Sequence, residues 1–483
     1  MNNTGNLAYA SGLAKGNAAM ATSTMRLQAW FRQELPRLNR AVLSGAPRTS
    51  MAEAMIGFLP DLPSPTAVST RQAQQMIIGL GLAGSSVARH YQEQDPCRKQ
   101  HPERAFDGLL AGPEMVPFRA YFAALADRTG TGHYERDAYA SLVIWNVPTT
   151  EVHYEGSPLA VLPGVTDDHI LSYTGDPGEQ WFFELVKRGQ TLELGVNTLL
   201  EPLADGDIGL ASPEGLRRVR QATTLLEALR RLFLEFANIR PGHGMQPQYF
   251  MDVFRQFATH WIAGDIPPSG ALDVDALKRD FLLGTVDEHY LRHVQRILPA
   301  LLSAERADLR RSMDRPSLPD RLLATLGIDR GALAEMSPYQ LEALASTHPA
   351  VSQWHQLLSC HARAAGGHLM LSKRFLFNPQ RRRDAEGIGD RQLVSNRRGT
   401  TGMDETILDR LTRMRREHVL AALRGTSAQT ALAAVPLPVV AVEIRPAAMV
   451  RARGADPGQS SRLPDGGQES SGGPRLDERA MSK

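Results

Sequence analysis

The residues best placed to do chemistry are two histidines on one apolar stripe. In VSQWHQLLSCHARAAGGHLMLSKRFLFNP, Trp354, Leu358, His361, Ala365, His368, Leu371 and Phe375 recur at steps of three and four. That spacing predicts one face of a long α-helix, with His361 and His368 two turns apart. Asn378-Pro379 marks its expected end, because proline has no N–H to give the helix. Gly366 and Gly367 stand just before His368, so either a large flat group or a neighbouring helix could approach the backbone there. Two readings stay open on residues alone: a core histidine with a hydrogen-bond partner, or a neutral imidazole offered to a ligand. No carboxylate shares the stripe, so a zinc or di-metal cluster is poorly served. A neutral imidazole facing an apolar slot suits the fifth ligand of haem iron, whose propionates need arginine or N–H donors at the rim. Arg374, Arg397 and Arg398, with the amides of residues 399–402, could supply them.

The elements that must position this stripe read as helices. MRLQAWFRQEL begins one near Met25, MAEAMIGFL a second, and Ser69 or Thr70 can cap a third through RQAQQMIIGLGLAGSSVARHYQEQ. Gly79, Gly81 and Gly84 within it point to close packing, and GLGLAG follows no strand that would make it a phosphate loop. MVPFRAYFAALADR, the stretch after SYTGDPGE, SPEGLRRVRQATTLLEALRRLFLEFAN and QYFMDVFRQFATHWI all carry helical patterning. YASLVIWNVPT is the most strand-like run of the chain. Glu288, His289 and His293 have the spacing of metal ligands, but Arg292 intervenes and no second Glu-x-x-His segment exists, so a solvated face is expected. His260 is expected to be structural. Short helices, one with capping-box spacing from Ser337 to Gln340, fill 314–348.

Bulk properties exclude several classes. The chain of 483 residues is 42% hydrophobic and 22% charged, ordinary for a globular protein large enough for two lobes. A formal charge of +2 argues against broad nucleic-acid binding. Cys97 and Cys360 form no C-x-x-C or C-x-x-C-H motif, which disfavours disulfides, cysteine-bound zinc and c-type haem attachment and fits a reducing cytoplasm. The first two dozen residues lack a signal peptide's basic start and apolar core, and the longest apolar run, 431–442, is too short and proline-broken to span a membrane. Residues 1–24 read as a loose arm, and 426–483, rich in Gly, Pro, Ser and Arg, as a disordered tail.

HLMLSKRFLF followed by GTTG resembles the proximal-histidine helix and Gly-Thr-Gly-Gly loop of the indoleamine/tryptophan 2,3-dioxygenase superfamily. The whole chain resembles its bacterial branch, which includes enzymes of pyrrolnitrin-type biosynthesis. LPRLN, FLPDLP, VIWNVPT, SYTGDPGE, QPQYFMDVFRQFATHWIAG, FLLGTVDEHYLRHVQRILPALL and DETILDRLTRMRREHVLAAL follow in the family's order, covering about residues 25–425. The resemblance implies an all-α fold around a haem pocket, spanning 25–425, with a smaller lobe at 25–150 and a larger one at 151–425. It implies a helix, not a strand, at VIWNVPT. His368 would be the axial ligand of haem b and O2 a co-substrate. Arg374, Arg397, Arg398, Gly399 and Thr400 would hold the cofactor; Phe182, Phe183, Thr401 and Gly402 would face the substrate. The activity implied is oxygenation of tryptophan or a substituted indole in specialised metabolism, by ring cleavage or oxidative rearrangement, with an electron donor as a candidate partner and the electron source open. Oligomeric state stays open. Two departures qualify this. Thr401 replaces a usual glycine, and no arginine in AGDIPPSGALDVDALKR matches the family's substrate anchor, Lys278 and Arg279 being poor candidates. The alternative is a helical protein that binds haem or a small aromatic without catalysis; a purely structural role for His368 is a third reading.

Overall fold

The computed structural model describes residues 25–132, 134–166, 169–238, 244–390, 393–395, 404–438 and 440–444. The described chain is mostly helical. Eight helices matter for the site: α1 (25–43), α2 (Thr70–Gln92), α3 (Phe118–Asp127), α4 (Pro177–Asp205), α5 (Pro213–Ala237), α6 (Val274–Leu282), α7 (Pro349–Ser372) and α8 (Glu405–Arg416). Their starts follow local chemistry. Ser69 and Gln72 close a capping box on α2, Asp176 and Ser212 cap α4 and α5 ahead of a proline, and Asp273 caps α6 through two backbone amides. The box from Ser337 to Gln340 also forms, opening the short helix Pro338–Thr347.

Close approach explains the glycines of α2. A Cβ at Gly79 would lie 2.0 Å from the Phe31 ring on α1, and one at Gly84 2.4 Å from Trp261. α7 packs along α5 and α8, while α4 lies against α5 and α6. The apolar interior forms two clusters. One gathers α1, α2, α3 and the aromatic residues of 173–261; the other joins α4, α5 and the first half of α7. Val165, Phe183 and Phe236 belong to the first cluster, so the core does not divide at residue 150.

Several expectations need correction. The stripe helix does not end at Asn378-Pro379: α7 passes into a π-turn, Lys373–Phe377, and then into the helix Asn378–Ala385. A proline ring clashes with the carbonyl four residues earlier in a regular helix, and the widened turn, where Asn378 N–H reaches Lys373 O, relieves that clash. QYFMDVFRQFATHWI is not one helix but Pro247–Asp252 followed by a tight turn, Phe254–Phe257. Gln256 Nε2 takes the Met251 carbonyl at 2.7 Å, competing with a continued helix for that acceptor. At YASLVIWNVPT the chain makes a π-turn, Ala140–Ile144, helical as the resemblance implies. Lys187 Nζ donates to Ile144 O at 2.7 Å and Val147 O at 2.6 Å, and burial pushes its ammonium down to about 7.

Strands are few. β1 (Leu110–Ala111) and β2 (Val116–Pro117) form a small hairpin. β3 (Thr150–Tyr154) pairs antiparallel with β4 (Ser157–Leu162) and with β5 (Ala441–Ile444). Order therefore extends past residue 426, through the short helix Ser427–Ala433 to β5, where the composition suggested a disordered tail. Residues 1–24 and 445–483 lie outside the described residues. No described helix is long and apolar enough to cross a membrane.

Candidate functional site

α7 delivers His368 to a chamber of about 370 Å³ bounded by α4, α5, α6, α7, α8 and both π-turns. Helical spacing decides which α7 side chains reach it. Ala364, Ala365, His368, Leu371, Ser372 and Phe375 line the chamber, one face of the helix. His368 lines this chamber with its ring enclosed by protein. Burial lowers its basicity, and nearby Arg415 adds to the effect, so the imidazole is neutral at physiological pH. Phe233 meets the ring edge-on at 5.5 Å. His368 makes no hydrogen bond to any described residue.

One wall of the chamber is aromatic. Phe182 and Phe183 on α4 both line it, with Phe236, Phe250, Phe254 and Phe375. Phe182 lies 5.1 Å from Phe254 and 5.4 Å from Phe250, ring centre to ring centre. Arg255 stands in this neighbourhood and also lines the chamber. Burial lowers its guanidinium to about 10 against the opposing pull of Asp390, so it stays charged at neutral pH.

The wall nearer His368 is polar. His361, two turns before His368 on the stripe, has Nε2 2.9 Å from Asp280 Oδ1 and 3.2 Å from Thr285 Oγ1. Tyr290 donates to Asp280 Oδ2 at 2.9 Å, and Arg415 reaches both carboxylate oxygens, Nε at 3.0 Å and Nη2 at 2.6 Å. Burial alone would raise the Asp280 carboxyl; Arg415 and His361 hold it well below its ordinary range. Burial takes His361 down to about 4, so Asp280 is the anion and His361 its neutral partner. Alongside, Arg279 pairs with Glu193 at 2.9 Å, and both line the chamber. Asp273, also in the wall, is pushed well above the usual carboxyl range by burial and by Glu193.

Several sequence-derived assignments end elsewhere. Arg374 is not in the chamber; its guanidinium donates to the Ala237 carbonyl. Six residues past His368 is about one and two-thirds turns, which rotates Arg374 off the chamber face. Gly366 and Gly367 face helices, not a ligand: a Cβ at Gly367 would touch Phe233 and the Arg230 carbonyl on α5, and one at Gly366 would touch Arg416. Arg397, Arg398, Gly399, Thr400, Thr401 and Gly402 lie outside the described residues. Lys278 is engaged with Glu201 and Asp308, but Arg279, set aside from sequence, does reach the chamber. His260 pairs with Asp265 at 2.6 Å, and Glu288 with Arg292, away from the site, as expected of structural or solvated residues. Among the described residues no group of three His, Cys, Asp or Glu could hold a metal ion.

Sequence reasoning missed Arg255, Asp280, Glu193 and Arg415. A single cation inside the aromatic run YFMDVFRQF was a usable signal for Arg255, since a charge there needs a specific partner or ligand. Asp280, Glu193 and Arg415 sit in amphipathic helices whose polar residues look like solvated faces until tertiary packing buries them. No protein-family model matches this chain, and no curated protein matches it.

Proposed function

We propose that the chain is a haem-dependent oxygenase of planar aromatic substrates, with an indoleamine/tryptophan dioxygenase-like helical fold and His368 as axial ligand. One observation carries the reading: a neutral imidazole with no hydrogen-bond partner among the described residues lines an aromatic-walled chamber inside a helical core. The residues present fit a porphyrin. Aromatic and aliphatic side chains supply flat apolar walls, and Arg255, Arg279 and Arg415 supply cations for carboxylate groups. His368 would hold the iron of such a group, which when bound would supply O2 activation. The chain's own work would be positioning. His368 offers a lone pair because burial disfavours its protonated form. The phenylalanines exclude water and align a flat ring, and Arg255 is set to receive the carboxylate of an amino-acid substrate.

The substrate class follows from that combination of an aromatic slot and a buried guanidinium: tryptophan or a substituted indole bearing a carboxylate. Ring cleavage requires no outside electrons, whereas oxidative rearrangement would use an electron donor. The test is O2 consumption by the haem-reconstituted, reduced protein across a panel of indoles, with ¹⁸O2 to follow the oxygen atoms. Substrate-dependent uptake with label in the product supports oxygenation. Haem binding without uptake for any indole would leave a non-catalytic haem protein.

A further inference from the structure

We propose that Arg415 is an anion-gripping residue of the chamber, placed to hold a carboxylate side chain of the porphyrin. This rests on the haem reading above. Arg415 comes from α8, outside the stripe helix, and its guanidinium lines the chamber. Two of its three nitrogens, Nε and Nη2, are fixed on Asp280. Nη1 hydrogen-bonds to no described residue and is not sealed from the chamber. Asp280 is itself held by His361, Thr285 and Tyr290 and is 1% exposed, so it anchors the guanidinium and leaves one edge presented. A planar fork gripped on one side is the arrangement in which arginine meets a second oxyanion at least entropic cost.

The charges of this wall are paired one to one, so the feature open to a further anion is the unbonded edge of the Arg415 guanidinium. Glu193 and Asp280 face Arg279 and Arg415 in this wall. Arg415 and His368 line the same chamber. A carboxylate reaching Arg415 would therefore belong to whatever His368 ligates. Arg374, which the sequence suggested for this role, is occupied at the end of α5.

The test compares ferric haem with its dimethyl ester, in which both carboxylates are masked, by Soret titration of wild type and Arg415→Met. Wild type should prefer the diacid. In Arg415→Met that preference should shrink by on the order of tenfold to a hundredfold, the range of a charge-assisted hydrogen bond. Taking the ratio of two ligands on one protein cancels any loss of stability common to both. If Arg415→Met folds poorly, Arg415→Met/Asp280→Asn, which leaves no orphaned charge, gives the same comparison. A variant keeping the wild-type preference would overturn the role of Arg415 while leaving the haem reading intact. Failure of wild type to bind either porphyrin would overturn both.

Discussion

Asp280→Asn is the substitution whose consequences the structure defines most fully. The carboxylate is buried and receives Arg415 twice, Tyr290, Thr285 and the imidazole of His361, all within 3.1 Å. Asparagine keeps the volume but removes the charge and turns one acceptor into a donor, facing the Arg415 guanidinium. Breaking a buried ion pair by removing one partner costs roughly 3–5 kcal/mol, because the other charge is stranded. In a protein of this size that is a fall in Tm of about 3–5 °C. Arg415→Met/Asp280→Asn strands no charge and should recover much of the loss, giving a coupling energy of about 2 kcal/mol or more. Urea and thermal unfolding of the cofactor-free protein at pH 7 measure both. A single variant as stable as wild type, or a double variant losing the sum of the two singles, would refute the assignment of Asp280 as a buried hub.

Three further outcomes follow from the geometry. Gly84→Ala places a methyl group 2.4 Å from Trp261 and should destabilise by about 1–3 kcal/mol, read as a lower urea midpoint at unchanged slope. Arg255→Met should weaken binding of tryptophan by roughly tenfold to a hundredfold while leaving 3-methylindole, which lacks the carboxylate, within about twofold of wild type; equal losses for both would reject the anchor. The folded-state value of His361, about 4, lies below the ordinary value of a free histidine, so its neutral form is tied to folding. That contribution is complete above about pH 6.5 and is lost as pH falls toward 4, so urea midpoints measured from pH 7 to pH 5 should drop more steeply in wild type than in His361→Gln.

Local signals carried the helices and failed where tertiary contacts intervene. Ser69, Ser212 and Ser337 cap the helices their positions suggest, and the glycines of α2 pack as their density implied. The periodicity that joined Trp354 to Phe375 also put His368 on the chamber face. What it lacked was depth. Arg374 looked as available as Arg415 on sequence, yet rotation about the helix sends one to a carbonyl and the other to Asp280, 135 residues away in the chain. The turn at Phe254 and the helical passage through Pro379 depend on a side chain taking a backbone acceptor and on one widened turn. The third strand beside β3 comes from a segment whose composition carried no strand period.

The central claim is the bond between His368 and iron. Anaerobic haem titration of wild type, His368→Gly, and His368→Gly with added imidazole tests it most directly. The account predicts one equivalent bound with a histidine-type Soret band in wild type, its loss in the glycine variant, and its return with imidazole filling the vacated space. A glycine variant that keeps the wild-type affinity and spectrum without imidazole would contradict it.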